Sequence, residues 1–310
     1  MQAEGVIFLV FNLIMSFPAI FLYIFIAVST VLSCRAGRFL RPQHCLLFVL
    51  GLFNAIFKSF QLLFDEASEV WEDFFSQVNT CYVHGFSVYV SCIFFSTCLT
   101  SWICIFYCIN IVSFQHRLVM ALKTKLQTLL PWVICGTFGV SIIFLALEIS
   151  VLWLSLPSDS SEFCFRMNDT YRGKARDISM GFNFIVLLPL TLILVSLGYT
   201  FSSLLVHIQR VQSSSDLHNS HLRAHLHAAK IMIVLLVLNV LFSMSYQTLM
   251  LNLFPEISPW VWTCNVIYTC FWPLQACVFI IGDKTLRACF MRYLYRSVCK
   301  DQRRRTHEDT

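Results

Sequence analysis

Ionisable residues that could do chemistry are rare in the apolar segments of this sequence, and they do not form a catalytic pattern. Lys58 and Glu148 each stand alone within a long apolar run. The sequence has no HExxH pair, no Walker loop, no glycine-rich dinucleotide turn and no paired-carboxylate site. Because active sites concentrate titratable groups, we predict that the protein is not an enzyme and has no catalytic residues.

The 14 cysteines and nine histidines do not show metal-ligand spacing. There is no CxxC pair, and many of the cysteines lie inside apolar runs, where they are small packing residues. Several histidines lie between His207 and His227, where a polar, membrane-flanking loop is a simpler explanation than a metal site. We therefore predict neither a metal nor a cofactor.

Seven apolar segments must position these residues. Hydrophobic residues make up 57% of the chain and charged residues only 13%, about half the charged share of a soluble domain. Each segment reaches the roughly 20 residues that a membrane-spanning helix needs. They cover about 6–34, 45–64, 82–114, 128–154, 178–206, 228–254 and 260–281. The predicted fold class is an all-α membrane protein, a seven-transmembrane helix bundle.

Basic residues set the predicted orientation. Seventeen of the 22 lysines and arginines follow spans one, three, five and seven, whereas the loop after span two is acidic. Since Lys and Arg concentrate on the cytoplasmic side, we expect an extracellular N-terminus and a cytoplasmic C-terminus. The predicted location is the plasma membrane, with membrane lipid as a partner and no nucleic acid.

A short amphipathic helix is predicted directly after span seven. Apolar residues share one face of it: Leu286, Phe290, Tyr293 and Leu294. Basic residues recur on another: Lys284, Arg292 and Arg296. Such a helix lies in the cytoplasmic membrane interface. We therefore expect one membrane domain over residues 1–298 and a polar cytoplasmic tail over 299–310.

The two charges inside the spans have different predicted positions. Lys58 lies roughly 20 Å from the inner edge of its helix, and we expect its side chain to extend toward Asp65 and Glu66. The alternative is a cation that lines a pocket. Glu148 lies roughly 28 Å from the inner edge of span four, so a solvated acid at the outer interface is expected there.

Three segments resemble the bitter taste receptors (type 2 taste receptors) among G-protein-coupled receptors. Residues 106–126 follow the pattern FYxxKIAxFSxxxFxxLKxRI without gaps. Departures from it include Asn110, Val112 and Lys125 in place of lysine, alanine and arginine. Residues 224–230 (AHLHAAK) resemble the AHxxALK segment of span six. Span five matches the run PFxxxLxSxxxxxxSLxxHxxxxQ at Pro189, Ser196, Ser203, Leu204, His207 and Gln212.

Three residues in and directly after span seven depart from the family pattern. Gln275 and Ala276 stand where the family has His-Ser, and Asp283 replaces an asparagine. The usual arginine of span two is not evident, and Lys58 does not align with it.

The resemblance implies a chemosensory receptor that binds small, bitter-type molecules and activates a heterotrimeric G protein of the gustducin type. Ligand-binding candidates at matching depth in the outer half of the bundle are Tyr89, Ile93, Phe182, Tyr246, Asn265 and Tyr268. Candidates for contact with the G protein are Tyr107, His116, Leu118, Lys123, Lys125, His207, His225 and Lys230. Positive-inside topology alone would also explain the lysines.

The predicted outer loops carry two modification candidates. Asn168 begins the sequon Asn-Asp-Thr in the loop after span four, where glycosylation is expected. Cys81 opens span three and Cys164 lies in the same loop as the sequon. Many receptors of the superfamily have a disulfide between these places, although most bitter receptors are thought to lack it, so both states stay open.

Other functional classes remain as alternatives. A vomeronasal-type pheromone receptor would share the short loops, but the run at 106–111 favours the bitter class. A transporter or channel is disfavoured because the span count is odd and internal repeats and midplane charges are missing.

Overall fold

The computed structural model describes seven long helices and one short one. The described residues are 3–35, 42–70, 79–111, 117–154, 187–213, 219–251 and 258–295. The helices are α1 (Ala3–Arg35), α2 (Pro42–Val70), α3 (Asn79–Ile111), α4 (Arg117–Leu154), α5 (Leu187–Ser213), α6 (Asn219–Leu251), α7 (Pro259–Gly282) and α8 (284–295).

The helices agree with the seven predicted spans. Six are long and apolar enough to cross a membrane, and α5 is apolar over Leu187–Ser203. The predicted start of span five, residues 178–186, lies outside the described residues. Large apolar side chains such as Phe17, Ile56 and Ile143 are exposed on the outer surface of the bundle, as expected where lipid is the solvent.

Helix α3 occupies the centre of the bundle. It contacts α2, α4, α5 and α6, while α1 contacts α2 and α7, and α6 contacts α7. Between Ser87 and Ile109 nearly every side chain of α3 is buried or half-buried. A helix that is surrounded in this way needs no polar face, which explains why span three has no amphipathic pattern.

Polar caps define both ends of α7. Ser258 is the N-cap residue, and its hydroxyl accepts a hydrogen bond from the backbone N–H of Trp260 at 3.3 Å. Pro259 follows at the first helical position, where its fixed φ is favourable. At the other end, Asp283 Oδ1 accepts bonds from the N–H groups of Thr285 and Leu286 at 2.8 and 3.1 Å. Asp283 therefore ends α7 and caps α8.

Long-range contacts show which helix ends lie together. Gln43 at the start of α2 contacts Tyr107 near the end of α3 and Asp283 at the end of α7. Gly282 lies against Ile231 in the first half of α6. The helix ends that adjoin the most basic segments therefore meet at one end of the bundle, as the charge pattern predicts. We call it the Asp283 end.

Helix α8 packs against α1. Leu286 is buried, and the ring of Phe290 meets Phe25 edge-on at 5.2 Å between centroids. Tyr293 lies 6.2 Å from Phe21. Because the predicted apolar face makes these contacts, a short amphipathic helix after α7 is confirmed.

Candidate functional site

An aromatic cluster joins four helices in the half of the bundle away from the Asp283 end. Pairs spaced four residues apart on α6 and α7 lie on one helix face each and point into the bundle. We define the aromatic cluster as Phe57, Tyr89, Phe242, Tyr246, Tyr268 and Trp272. The position of the cluster follows from α2, where Gln43 marks the Asp283 end. Lys58, the neighbour of Phe57, lies 15 residues beyond Gln43, which is about 22 Å along the helix.

The rings of the aromatic cluster contact one another in a closed circuit. Phe57 lies 5.3 Å from both Tyr89 and Trp272, measured between ring centroids. Tyr246 lies 6.3 Å from Tyr89 and 6.4 Å from Tyr268. These separations are those of favourable aromatic pairs, so the cluster holds α2, α3, α6 and α7 in a fixed relation.

Lys58 lies at the edge of this cluster, and its extension toward Asp65 and Glu66 stays a prediction because the side chains of these acids are not described. The side chain is only 1% exposed, and its Nζ donates a 2.9 Å hydrogen bond to Gln61 Oε1. The same Nζ lies 5.3 Å from the centre of the Trp272 ring. Attraction to the ring face and the amide oxygen compensates for part of the water lost by the ammonium. The alternative, a cation that lines a pocket, also stays a prediction.

Glu148 is also buried, which corrects the prediction of a solvated acid. Its exposure is 0%, and it continues the inward face of α4 formed by Thr137, Ser141 and Phe144. These positions recur every three or four residues, so Glu148 comes one turn after Phe144 on the packed face. It lies close enough to Tyr246 to act on its hydroxyl electrostatically.

The structure brings together three of the predicted ligand-binding residues. Tyr89, Tyr246 and Tyr268 all belong to the aromatic cluster. Ile93 is fully buried one turn from Tyr89, and Asn265 is half-buried on α7. Phe182 lies outside the described residues.

Sequence reasoning did not identify Phe57, Phe242 or Trp272. Phe242 stacks on Phe271 at 4.2 Å and meets Trp272 at 5.7 Å. Phe242 and Trp272 could have been found from helix spacing. Phe242 lies four residues before the predicted contact Tyr246, and Trp272 lies four residues after Tyr268. No comparable spacing marks Phe57.

A second polar arrangement connects three helices below the aromatic cluster. The Tyr23 hydroxyl on α1 donates to Gln275 Oε1 on α7 at 2.7 Å. Gln275 Nε2 in turn donates to the Thr100 hydroxyl on α3 at 3.2 Å. Gln275 is one of the residues that depart from the family pattern, and here it supplies an inter-helix contact of its own.

A third polar cluster lies at the Asp283 end. Gln43 Nε2 donates to the Tyr107 hydroxyl at 2.9 Å and to Asp283 Oδ2 at 2.8 Å. His44 Nε2 lies 3.6 Å from the same carboxylate oxygen. Burial by itself would raise the pKa of Asp283, but the interaction with nearby His44 and the hydrogen bonds from the backbone of Leu286 and Thr285 outweigh it and lower the pKa. The carboxylate therefore remains ionised and holds α2, α3 and α7 together.

Those predicted G-protein contacts that lie within the described helices are at the same end. Tyr107 is half-buried in the third polar cluster, while Lys125 and Lys230 are exposed. Leu118, Lys123, His207 and His225 lie in helices whose side chains are not described at these positions, and His116 lies outside the described residues.

The glycosylation and disulfide candidates of the predicted outer loops stay predictions. Asn168 and Cys164 lie outside the described residues, and Cys81 lies in the first turn of α3 with its side chain undescribed.

Comparison with known proteins agrees with this architecture. A family model described as "Taste receptor protein (TAS2R)" matches residues 1–298. Taste receptor type 2 member 41 of Pan paniscus is 27% identical over 207 residues, which cover 63% of this chain and 64% of that protein. Taste receptor type 2 member 9 of Macaca mulatta is 24% identical over 210 residues, 66% of this chain and 65% of that protein.

A human relative covers slightly more of both chains. Taste receptor type 2 member 9 of Homo sapiens is 24% identical over 222 residues, 69% of each chain. The matched part spans a little under two thirds of the first of these relatives. Because the family model covers all eight helices, the identity of the fold does not depend on these partial matches. The chain belongs to the taste receptor protein (TAS2R) family, the bitter taste receptors among the G-protein-coupled receptors.

Proposed function

We propose that this protein is a bitter taste receptor that binds a small molecule at the aromatic cluster and activates a gustducin-type G protein at the Asp283 end. The observation that carries this proposal is the convergence of α2, α3, α6 and α7 on one aromatic cluster, far from the end where basic residues meet. The family membership supplies the functional class.

The chemistry of the aromatic cluster suits a small organic ligand. Binding sites for such ligands are mostly apolar and contain a few polar groups that fix orientation. The cluster offers aromatic faces together with the hydroxyls of Tyr89, Tyr246 and Tyr268. Ile93, Asn265 and Phe182 remain proposed ligand contacts of the same site.

Ligand and G protein would be coupled through the helices that the two sites share. Helices α6 and α7 both carry residues of the aromatic cluster. At the Asp283 end, α6 contacts Gly282 of α7, and Asp283 follows directly. A ligand shifts a conformational equilibrium only if it binds the two states differently. We propose that the ligand favours a state in which the Asp283 end opens to the G protein.

The proposed coupling surface consists of residues at that end. They are Tyr107, His116, Leu118, Lys123, Lys125, His207, His225 and Lys230. The proposed orientation places this surface in the cytosol and a glycosylated Asn168 outside. In the described ranges, Lys125, Lys230, Lys284 and Arg287 are exposed at this end, which supports that orientation.

The functional test is a calcium assay in cells that express the chain with a gustducin-chimeric G protein. Bitter compounds are applied as a panel, and surface expression is measured in parallel. We expect a concentration-dependent response to at least one compound. Silence across the panel from a receptor that reaches the surface would contradict the proposal.

A matched pair of α6 variants locates the ligand site. Tyr246→Ala removes a fully buried ring of the aromatic cluster, whereas Met244→Ala changes a side chain that is 63% exposed on the outer surface of the same helix. We expect the first to raise the EC50 of an active compound at least about tenfold and the second to leave it nearly unchanged. Equal shifts would place the ligand elsewhere.

A further inference from the structure

Trp272 carries a buried hydrogen-bond donor for which the described part of the chain supplies no acceptor. The side chain is 1% exposed, and its Nε1 has no hydrogen-bond partner among the described residues. An indole N–H can only donate. The phenyl rings of Phe57, Phe242 and Phe271 lie 5.3 to 5.7 Å from it between centroids, and they offer only weak contacts with their faces. Because a buried donor without an acceptor is costly, this group favours a bound molecule that supplies one.

A second tryptophan shows how such a donor is satisfied elsewhere in the bundle. Trp102 on α3 is half-buried, and its Nε1 donates a 3.0 Å hydrogen bond to the hydroxyl of Thr137 on α4. Trp272 is buried more deeply and has no equivalent acceptor within the described ranges. The two indoles therefore differ in chemistry, since only the N–H of Trp102 is paired inside the protein.

Two tyrosine hydroxyls of the aromatic cluster are in the same condition. The hydroxyls of Tyr89 and Tyr246 are buried and have no hydrogen-bond partner in the part of the chain that the structure describes. Phe57 contacts both Tyr89 and Trp272, and Phe242 contacts both Tyr246 and Trp272. A phenyl ring thus connects the indole to each tyrosine, so the donors are distributed around apolar faces.

Resting on the proposed function, we propose that Trp272 selects ligands by their acceptor oxygens, and that the site takes flat compounds with a carbonyl oxygen on an apolar body, such as lactones and aromatic ketones. The carbonyl oxygen accepts the hydrogen bond from Trp272 Nε1. The body packs on Phe57 and Phe242, because phenyl rings pair well with flat aromatic partners. Any further oxygen of the ligand accepts from the tyrosine hydroxyls.

The selectivity arises from the penalty on compounds that lack the oxygen. An apolar ligand of the same shape would close the site and leave the indole N–H unpaired. Sites that hydrogen-bond a ligand group discriminate strongly against analogues without that group. An ordered water that stayed on Trp272 Nε1 would remove this penalty, so the same comparison of compounds decides between water and ligand.

Matched pairs of uncharged compounds test the proposal without any mutation. Coumarin is compared with chromene, chromanone with chroman, and xanthone with xanthene, in the calcium assay on the unmodified receptor. Each pair differs by one carbonyl oxygen, and charge has no part in the comparison. The carbonyl compounds should be at least about tenfold more potent than their partners.

Replacements of Trp272 then assign the preference to its N–H group. Trp272→Phe should reduce the ratio of the two EC50 values in each pair to within about threefold. The ratio is informative even if the variant reaches the surface poorly, because both compounds meet the same receptor. Incorporation of benzothienylalanine at Trp272, which keeps the ring shape and has sulfur in place of N–H, should have the same effect without a loss of packing.

Two control variants separate the donor from the packing around it. Trp102→Phe removes an indole N–H that is already paired with Thr137, and it should leave the ratio unchanged. Phe271→Leu alters a ring that contacts Trp272 at 5.3 Å but removes no donor. It should change the potency of both compounds of a pair alike.

The outcomes distinguish this proposal from the receptor function. A carbonyl preference that persists after both replacements of Trp272 would overturn the role of its N–H group. Equal potency within every pair, as a retained water would give, would overturn the acceptor site. Responses to other bitter compounds but to neither member of any pair would contradict the proposed ligand class alone. Silence to every compound from a surface-expressed receptor would contradict the proposed receptor function.

Discussion

At the scale of single residues, Gln275 shows how a departure from a family pattern can still serve the same structural purpose. A glutamine offers both an acceptor and a donor, and Gln275 uses one toward Tyr23 and the other toward Thr100. The sequence identified the position as unusual. It could not identify the partners, because Tyr23 lies 252 positions away in the chain.

Replacing Gln275 should destabilise the bundle. Gln275→Ala leaves two buried hydroxyls without this partner, at a cost of about 1–3 kcal/mol, and the midpoint of thermal unfolding of the purified receptor should fall. Leu274→Ala, at the exposed neighbouring position, should lower it much less. Tyr23→Phe should have an intermediate effect, since it removes one of the two bonds. Equal losses for Gln275→Ala and Leu274→Ala would contradict this role.

Asp283 should stabilise the junction of α7 and α8 over a wide pH range. Its lowered pKa means that the carboxylate contributes stability above the unfolded value of about 3.9 and loses it only as the pH falls through the lower folded value. Asp283→Ala removes the cap and the acceptor for Gln43, and should lower the unfolding temperature at both pH 7.5 and pH 5.

Asp283→Asn is the matched control for charge. Asparagine can still cap α8 through its side-chain oxygen, but its amide places a donor group where Gln43 Nε2 and His44 Nε2 approach. Its loss of stability should lie between those of wild type and Asp283→Ala. A stability loss for Asp283→Ala that vanished at pH 5 would contradict the lowered pKa.

At the scale of helices, α1 and α2 approach closely at one glycine. A Cβ atom at Gly51 would lie 2.9 Å from the backbone oxygen of Tyr23 and 3.1 Å from the backbone nitrogen of Ala27. Backbone atoms cannot move aside as a flexible side chain can. Small residues are the usual means of close helix packing in membranes, so Gly51 determines the spacing of this pair.

A pair of glycine variants tests this contact. Gly51→Ala should reduce surface expression and thermal stability because the two helices must separate. Gly139→Ala on α4 adds a Cβ with nothing within 4 Å, and its higher helix propensity should make it neutral or slightly stabilising. The measurements are surface labelling of intact cells and thermal unfolding in detergent. Equal behaviour of the two variants would contradict the close approach.

Helix positions were largely predictable from the sequence, whereas helix faces were not. Apolar length predicts spans because the bilayer imposes it, but α4 begins at Arg117, well before the apolar run, since helices continue into polar surroundings. Glu148 lies on the packed face of α4 rather than at a solvated surface, because depth along a helix does not determine the rotation of a side chain around its axis. The packed face of α4 is built partly from Thr137 and Ser141, which hydropathy does not distinguish from a solvent-facing stripe.

At the scale of the whole molecule, the aromatic cluster and the Asp283 end are linked by a continuous buried core. The core runs from Tyr246 and Trp272 through Leu235 and Leu99 to Cys104 and Phe279. Close-packed interiors transmit displacements, so a ligand that moves α6 or α7 near Trp272 would also change their packing near Gly282.

Neither the aromatic pairs between helices nor the inter-helix hydrogen bonds could be predicted from the sequence, because they depend on contacts between distant segments.

The most direct measurement of the central claim is agonist-evoked dissociation of a gustducin-type heterotrimer, in cells that lack endogenous Gα subunits. The account predicts a saturable, concentration-dependent signal that requires both this receptor and the added Gα subunit, and that Tyr246→Ala weakens. A ligand-evoked current or solute uptake that persists without any Gα subunit would contradict it.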